Sequence, residues 1–262
     1  IDMLGSGNSL LQSTFSRLVK IVNSENIYIV TQSRYKKIIL DQLGNKLHEE
    51  QIICEPDRRN TAPCILLASL KIQKRNKEAK IIVSPSDHTI KDEATFKSDM
   101  EFALSSAGSE NLITFGINPT FPSTGFGYVK VNSEKNRLKT VLEFTEKPDK
   151  IKAKSFIDSG NYYWNSGIFV WSAKAVLKGF KEYVPRLFDL FYSGINVLNT
   201  SDEKKFITDN YSLAENISID YALMEKHKLI HLIPASFDWD DLGSWKSIYD
   251  LNPKDAASNV II

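Results

Sequence analysis

Apolar positions along the chain alternate between two spacings. Leu10, Leu11, Phe15, Leu18, Val19 and Val22 recur at helical intervals over residues 9–23, and Ser9 is placed to cap that helix. Ile27-Tyr28-Ile29-Val30 is short, apolar and β-rich, which predicts a buried strand. The same reading places a helix at 34–42 ending at Gly44, a strand at 51–54, a helix at 61–75, a strand at 80–84 and a helix at 93–107. This β-α-β-α rhythm predicts an α/β fold, with a mostly parallel sheet covered by helices on both faces.

The rhythm changes after Leu112. A strand at 112–116 runs into a loop rich in Pro, Thr, Ser and Gly, followed by strands at 128–131 and 138–144 close enough to pair as an antiparallel insertion. Helices are expected at 150–159, 173–183, 185–197, 218–226 and 244–251, with an apolar strand at 168–171. Neither an internal repeat nor a low-complexity linker interrupts the pattern, so one mixed domain is expected.

Composition narrows the function classes. The 262 residues carry 33 Lys and Arg against 32 Asp and Glu, a net charge of +1, which removes the electrostatic case for a nucleic acid polymer. With 42% hydrophobic and 25% charged residues the chain can bury a large core. Its 12 glycines and 9 prolines fall below the usual share. Cys54 and Cys64 are too few and too oddly spaced for a zinc site or a disulfide framework. No apolar stretch has the length of a membrane span, and Ile1-Asp2-Met3-Leu4 has no basic region leading into an apolar run. A cytoplasmic setting without membrane association is therefore expected.

Candidate chemistry collects where strands end. Ser84-Pro85-Ser86-Asp87-His88 follows the strand at 80–84, and in open α/β sheets ligands bind beyond the carboxyl ends of strands. Asp87 is either a carboxylate that holds Mg²⁺ against a phosphate or a cap for the next helix. Trp239-Asp240-Asp241-Leu242-Gly243-Ser244-Trp245 offers a second acid; the alternative is an Asp cap on the following helix with both tryptophans in the core. Thr124-Gly125-Phe126-Gly127-Tyr128 could present backbone N–H groups to a sugar or phosphate, or simply open a hairpin. Glu146-Lys147-Pro148 sets an acceptor for sugar hydroxyls beside a cation for phosphate, and Asn165 in Trp164-Asn165-Ser166-Gly167 is an amide reader or a turn residue. In Glu55-Pro56-Asp57-Arg58-Arg59-Asn60-Thr61-Ala62-Pro63 the arginines and the helix start suit an anion, although a capped helix start explains much of the pattern. Together these loops offer acids for a metal, a cation for phosphate and amides for hydroxyls, the equipment for nucleotidyl transfer to a sugar phosphate.

Read in order, these blocks resemble the mannose-1-phosphate guanylyltransferase (GDP-mannose pyrophosphorylase) family of the sugar-nucleotidyltransferase superfamily. The likeness runs from Ser9-Leu10-Leu11-Gln12 through Arg59-Asn60-Thr61-Ala62-Pro63, Pro85-Ser86-Asp87-His88, Thr124-Gly125-Phe126-Gly127-Tyr128, Glu146-Lys147-Pro148 and Trp164-Asn165-Ser166-Gly167. It continues through Ser218-Ile219-Asp220-Tyr221 to Asp241-Leu242-Gly243-Ser244-Trp245. The resemblance implies a Rossmann-like mixed, mostly parallel sheet flanked by helices, with an antiparallel sugar-binding insertion. It implies transfer of GMP from GTP to mannose 1-phosphate, with Mg²⁺ held by Asp87 and Asp241. Glu146 and Asn165 would accept from and donate to mannose hydroxyls, Gly127 would contact the sugar through its backbone, and Lys147 would sit on the mannose phosphate. Arg59, Asn60 and Ser86 would lie near the nucleotide, with Asp220 as a support residue.

The family pattern also carries an N-terminal strand and a Gly-rich basic loop ahead of the Ser-Leu-Leu-Gln block, and a segment after the last block. Residues 1–262 are accordingly expected to be a nucleotidyltransferase catalytic domain lacking its N-terminal strand and Gly-rich loop and any C-terminal extension. Gly5-Ser6-Gly7 fills the short turn before the first helix and is not that loop. A non-catalytic GDP-mannose-binding regulatory subunit is the main alternative, a sugar-nucleotide-using glycosyltransferase a weaker one, and a homodimer is left open.

Overall fold

A computed structural model describes residue 2 and residues 4–260; Ile1, Met3, Ile261 and Ile262, at the two ends of the expected 1–262 domain, lie outside the described residues. Ser9 caps α1 (Leu10–Leu18) in a full capping box with Gln12. Then follow β1 (Ile29–Gln32), α2 (Lys36–Leu43) with Gly44 at positive φ beyond it, β2 (Ile52–Glu55) and α3 (Thr61–Arg75). β3 (Lys80–Val83), α4 (Glu93–Ser106), β4 (Leu112–Ile117), β5 (Tyr128–Val131) and β6 (Lys139–Thr145) come next. The chain continues through α5 (Lys150–Ser159), β7 (Tyr162–Ser172), α6 (Ala173–Tyr183), α7 (Pro185–Tyr192), α8 (Glu203–Asn210), β8 (Ile230–Pro234) and α9 (Trp245–Leu251).

The mixed α/β layering matches expectation, but the pairing is more antiparallel than the rhythm implied. Among the described residues, parallel pairs are β1–β2 and β4–β8. The main sheet runs β3-β7-β4-β8-β6-β5, and its other pairings are antiparallel. The cause is β7. Strands β3 and β4 run the same way, as a β-α-β unit requires, but the long β7 returns between them and pairs antiparallel with both. Its first residues also pair with β5, so one strand joins the main sheet to the expected antiparallel insertion.

Helices cover both faces. One core packs α3, α6 and α7 against the sheet around Leu66, Trp171, Val176 and Phe180; a second packs α4 on the opposite face around Phe96, Met100 and Phe115. A third, around Phe15, Ile39 and Ile52, joins α1 and α2 to β2. Two expected helices are different in the structure. The 185–197 helix stops at Tyr192, and 218–226 contains a π-helical turn, Asp220–Met224. Such turns widen the helix locally and recur at functional sites.

Among the described residues β1 and β2 form a separate two-stranded sheet, and the outer edges of β1 and β3 have no strand partner. Between those edges lies a slot of about 760 Å³. Ile29 and Val30 line one side, Ile81 to Val83 the other, with Ile65 and Ala68 of α3 and Leu11 and Phe15 of α1 above and below. No helix among the described residues is long and apolar enough to cross a membrane.

Candidate active site

The two acidic loops are joined backbone to backbone. Thr89 N–H donates to Asp240 O at 2.9 Å and Asp240 N–H returns to Thr89 O at 3.2 Å. The Asp238 carboxylate accepts from Lys91 N–H at 3.0 Å and Asp92 N–H at 2.7 Å. Asp92, not Asp87, caps α4, and Ser244, not an Asp, caps α9. Trp245 is 81% exposed while Trp239 packs against the core, so the reading of the second loop as an Asp-capped helix start with both tryptophans in the core does not hold. Asp87 projects into solvent, while Asp241 is held by Gly243 N–H at 3.0 Å, with Leu242 in the left-handed region to make the turn. Both carboxylates lie close enough to His88 to favour its charged form, yet burial prevails and its pKa is lowered. Burial, then the neighbouring Asp241 charge, raises the Asp240 carboxyl.

Two carboxylates on loops joined at Thr89 and Asp240, one of them projecting into solvent, suit Mg²⁺, which takes few protein ligands and completes its shell with phosphate oxygens and water. Among the described residues no group of three or more His, Cys, Asp or Glu is placed to enclose a metal.

The sugar-facing candidates converge separately. An added Cβ on Gly127 would lie 2.6 Å from Glu146 Oε2, so this glycine lets that carboxylate approach the backbone. Asn165 N–H donates to Gly127 O at 2.8 Å. Between Thr114↔Phe169 and Gly116↔Asn165 the β4–β7 register shifts, giving β7 a bulge that contains Gly167 at φ 72°. Bulges re-aim side chains. Here the result is that Asn165 Oδ1 accepts from Thr114 Oγ1 at 2.9 Å and Gly167 N–H at 3.3 Å, and Nδ2 donates to Asp220 Oδ1 at 3.0 Å. Its carbonyl oxygen thus serves two internal donors, and its second Nδ2 hydrogen is the group left for a ligand. Lys147 pairs with Glu146 Oε1 at 3.2 Å from a backbone at φ 45°.

The loop before α3 closes the other side. Asn60 caps α3 from φ 63°, and Arg59 turns to Asp57 at 2.8 Å. Thr61 Oγ1 accepts from Ile219 N–H at 2.8 Å, which fastens this loop to the segment leading into Asp220. Thr61, Ser86, Asp87, Gly167 and Asp220 all border the slot. Arg59 and Asn60 directly precede Thr61 and are not among the residues that line the slot. Asp220 holds Asn165 through that bond, sits beside Glu146 and Lys147, and opens the π turn. The pairing of Trp239 with His88 has no local signal in the sequence, because it spans 151 positions.

Burial, followed by the Glu146 charge, raises the Asp220 carboxyl from 3.8 to about 6. A folded pKa above the unfolded one means that the contribution of this group is fully present below about pH 4 and lost as the pH rises through 6. That displacement is worth at most about 3 kcal/mol. Asp220→Asn keeps the acceptor for Asn165 and removes the charge. Its stability relative to the unaltered chain is expected to improve by about 2 kcal/mol between pH 4 and pH 7. Urea unfolding at both pH values checks this, and a difference that does not change with pH would refute it.

The nucleotidyl transferase family profile matches residues 2–258, and the chain belongs to that family. Within it, the chain is 37% identical over 265 residues to a mannose-1-phosphate guanylyltransferase of Escherichia coli, covering 97% of this chain and 56% of that protein. The chain spans about half the length of the curated relatives it matches. Among solved structures, mannose-6-phosphate isomerase from Helicobacter pylori is 30% identical at a TM-score of 0.77, covering 91% of this chain and 93% of that one. Mannose-1-phosphate geranyltransferase from Thermus thermophilus shares the fold at a TM-score of 0.84 and 24% identity, covering 95% of this chain and 70% of that one.

Proposed function

We propose that this chain transfers GMP from GTP to mannose 1-phosphate, yielding GDP-mannose and pyrophosphate. The observation that carries the reading is the Thr89–Asp240 junction of the two acidic loops, with Pro85 and His88 of the first loop against Gly167 of the bulge that aims Asn165 at Asp220. A phosphate oxygen of the sugar phosphate attacks the α-phosphorus of GTP in line, the bond from that phosphorus to the bridging oxygen breaks, and pyrophosphate leaves. Asp87 and Asp241 hold Mg²⁺, which when bound neutralises charge on the transferring phosphoryl group. Lys147 balances the mannose phosphate, Glu146 accepts from sugar hydroxyls, and Asn165 donates its second amide hydrogen. Ser86, Arg59 and Asn60 border the nucleotide. Since positioning and charge neutralisation supply most of such catalysis, no covalent nucleophile is required.

The slot between β1 and β3 supports a second part of the proposal. It takes an extended apolar strand that pairs with both edges and carries a phosphate-cradling loop to the end where Ser86, Asp87 and Asp220 lie. Unpaired inner edges are otherwise costly in a sheet covered by helices. With such a strand in place the edge amides of β1 and β3 exchange slowly with solvent; fast exchange along both edges would count against a strand there.

The function is tested by pyrophosphate release from each of the four common NTPs, paired in turn with mannose 1-phosphate and glucose 1-phosphate. GTP with mannose 1-phosphate is expected to be the preferred pair. Equal rates with glucose 1-phosphate and UTP would overturn the substrate assignment.

A further inference from the structure

Within the acidic loops, one side-chain contact ties the two chain segments together beside the carboxylates. Trp239 Nε1 lies 3.1 Å from His88 Nδ1, and the rings meet edge to face at 5.2 Å between centroids. An indole N–H can only donate, so His88 Nδ1 is the acceptor and the imidazole proton resides on Nε2. That atom points to the carboxylate side: Nε2 is 4.0 Å from Asp87 Oδ1. The histidine side chain is 15% exposed and the aspartate side chain 74%, so a buried, packed imidazole stands behind a projecting carboxylate, too far for a direct hydrogen bond. The antiparallel bridge at Thr89 and Asp240 sets His88 across from Asp241, with Asp87 one residue further on. The two carboxylates proposed to share a divalent cation are therefore spaced by this junction.

We infer that Trp239 and His88 are positioning residues: the indole fixes His88 as the Nε2–H tautomer, and that N–H, facing Asp87 Oδ1 across 4.0 Å and acting through its dipole rather than a direct hydrogen bond, biases the Asp87 carboxylate towards a divalent cation shared with Asp241. The inference rests on the metal assignment of the proposed function. A cation bridging two separate loops needs a constant spacing between its ligands, and groups that orient metal-binding side chains commonly change affinity 10–100-fold when removed. The backbone bridge alone fixes the loops, but not the χ angles of Asp87.

Mn²⁺ serves as the probe, titrated by electron paramagnetic resonance into the intact protein with no nucleotide or sugar present. Trp239→Phe keeps the ring and removes the donor. Its Mn²⁺ dissociation constant is expected to rise about tenfold, and the ¹⁵N shifts of His88 should move from a pure Nε2–H pattern towards a mixture of tautomers. His88→Ala should weaken binding to a similar extent, while His88→Gln, which retains an N–H near the Nε2 position, should recover most of it. All titrations are run well below the unfolding temperature of the weakest variant. A purely structural role would lower that temperature without this rescue pattern. Unchanged Mn²⁺ affinity in Trp239→Phe and His88→Ala, a proton on Nδ1 in the unaltered protein, or no Mn²⁺ binding by it would each overturn the inference. If Mn²⁺ binding follows the pattern but GTP and mannose 1-phosphate give no product, the proposed reaction fails and the positioning role stands.

Discussion

In the intact protein, Asp87→Asn is expected to slow pyrophosphate release from GTP and mannose 1-phosphate by about a thousandfold, with Asp241→Asn similar. Removing one preorganised electrostatic partner of a transition state commonly costs 10²–10³ in rate. The carboxamide has nearly the same volume, and the Asp87 side chain is 74% exposed, so the fold loses little, roughly 0.5 kcal/mol or less. At Asp241 the amide oxygen can still accept from Gly243 N–H, so the turn at Leu242 is retained. What changes is charge: one of the two carboxylates that would hold the dication is lost. Steady-state rates over a wide Mg²⁺ range, with unfolding curves for both variants, measure this. Full activity in both at saturating Mg²⁺ would sink the metal assignment.

Gly127→Ala is the second large effect. The new methyl would stand 2.6 Å from Glu146 Oε2, with Phe144 Cε1 at 3.4 Å and Asn165 Cβ at 3.5 Å. The carboxylate must move because the backbone is pinned by the Asn165 N–H bond to Gly127 O. The strain costs about 1–3 kcal/mol of stability, as overpacking usually does. The functional cost is greater, since a displacement near 1 Å in a positioned group can cost about 10²-fold. We expect kcat/KM for mannose 1-phosphate to fall about a hundredfold while the KM for GTP stays within about twofold. Gly125→Ala is the control: its methyl would meet only Ser123 Oγ, at an ordinary 3.6 Å, and should leave both constants unchanged. Equal losses in the two variants would mean that the loop, not the Glu146 carboxylate, carries the effect.

How far the sequence reveals this molecule depends on the range of the forces involved. Helix α3 is found over Thr61–Arg75, and α5 over Lys150–Ser159, as their periodicity and caps predict, because caps and amphipathic stripes act within a few residues. The sheet order is not legible in the same way. β7 separates β3 from β4 only because a later segment inserts between them, and β8 is a short apolar run with no turn signal of its own. α8 has a mostly polar sequence that buries Ile207 in the core and pairs Glu203 with Lys71, 132 residues earlier.

The site shows the same division. Asp87, Glu146 and Gly127 stand out locally, as residues of suitable chemistry at strand ends. Asp220 becomes informative only when folding places it against Glu146 and Asn165, where burial and a like charge raise its pKa. The bulge that aims Asn165 could be guessed from Gly167, but its partners Thr114 and Asp220 lie 51 and 55 positions away. Gly243 likewise reads as a generic turn until Asp241 is seen folded back on its N–H.

Incubating the intact protein with GTP labelled at the α-phosphate, mannose 1-phosphate and Mg²⁺ tests the central claim most directly. The label is predicted to appear in GDP-mannose with one pyrophosphate released per molecule, and neither product is predicted to form when any one component is left out. A protein that binds GDP-mannose but never converts the label would contradict the account and define a product-binding subunit instead.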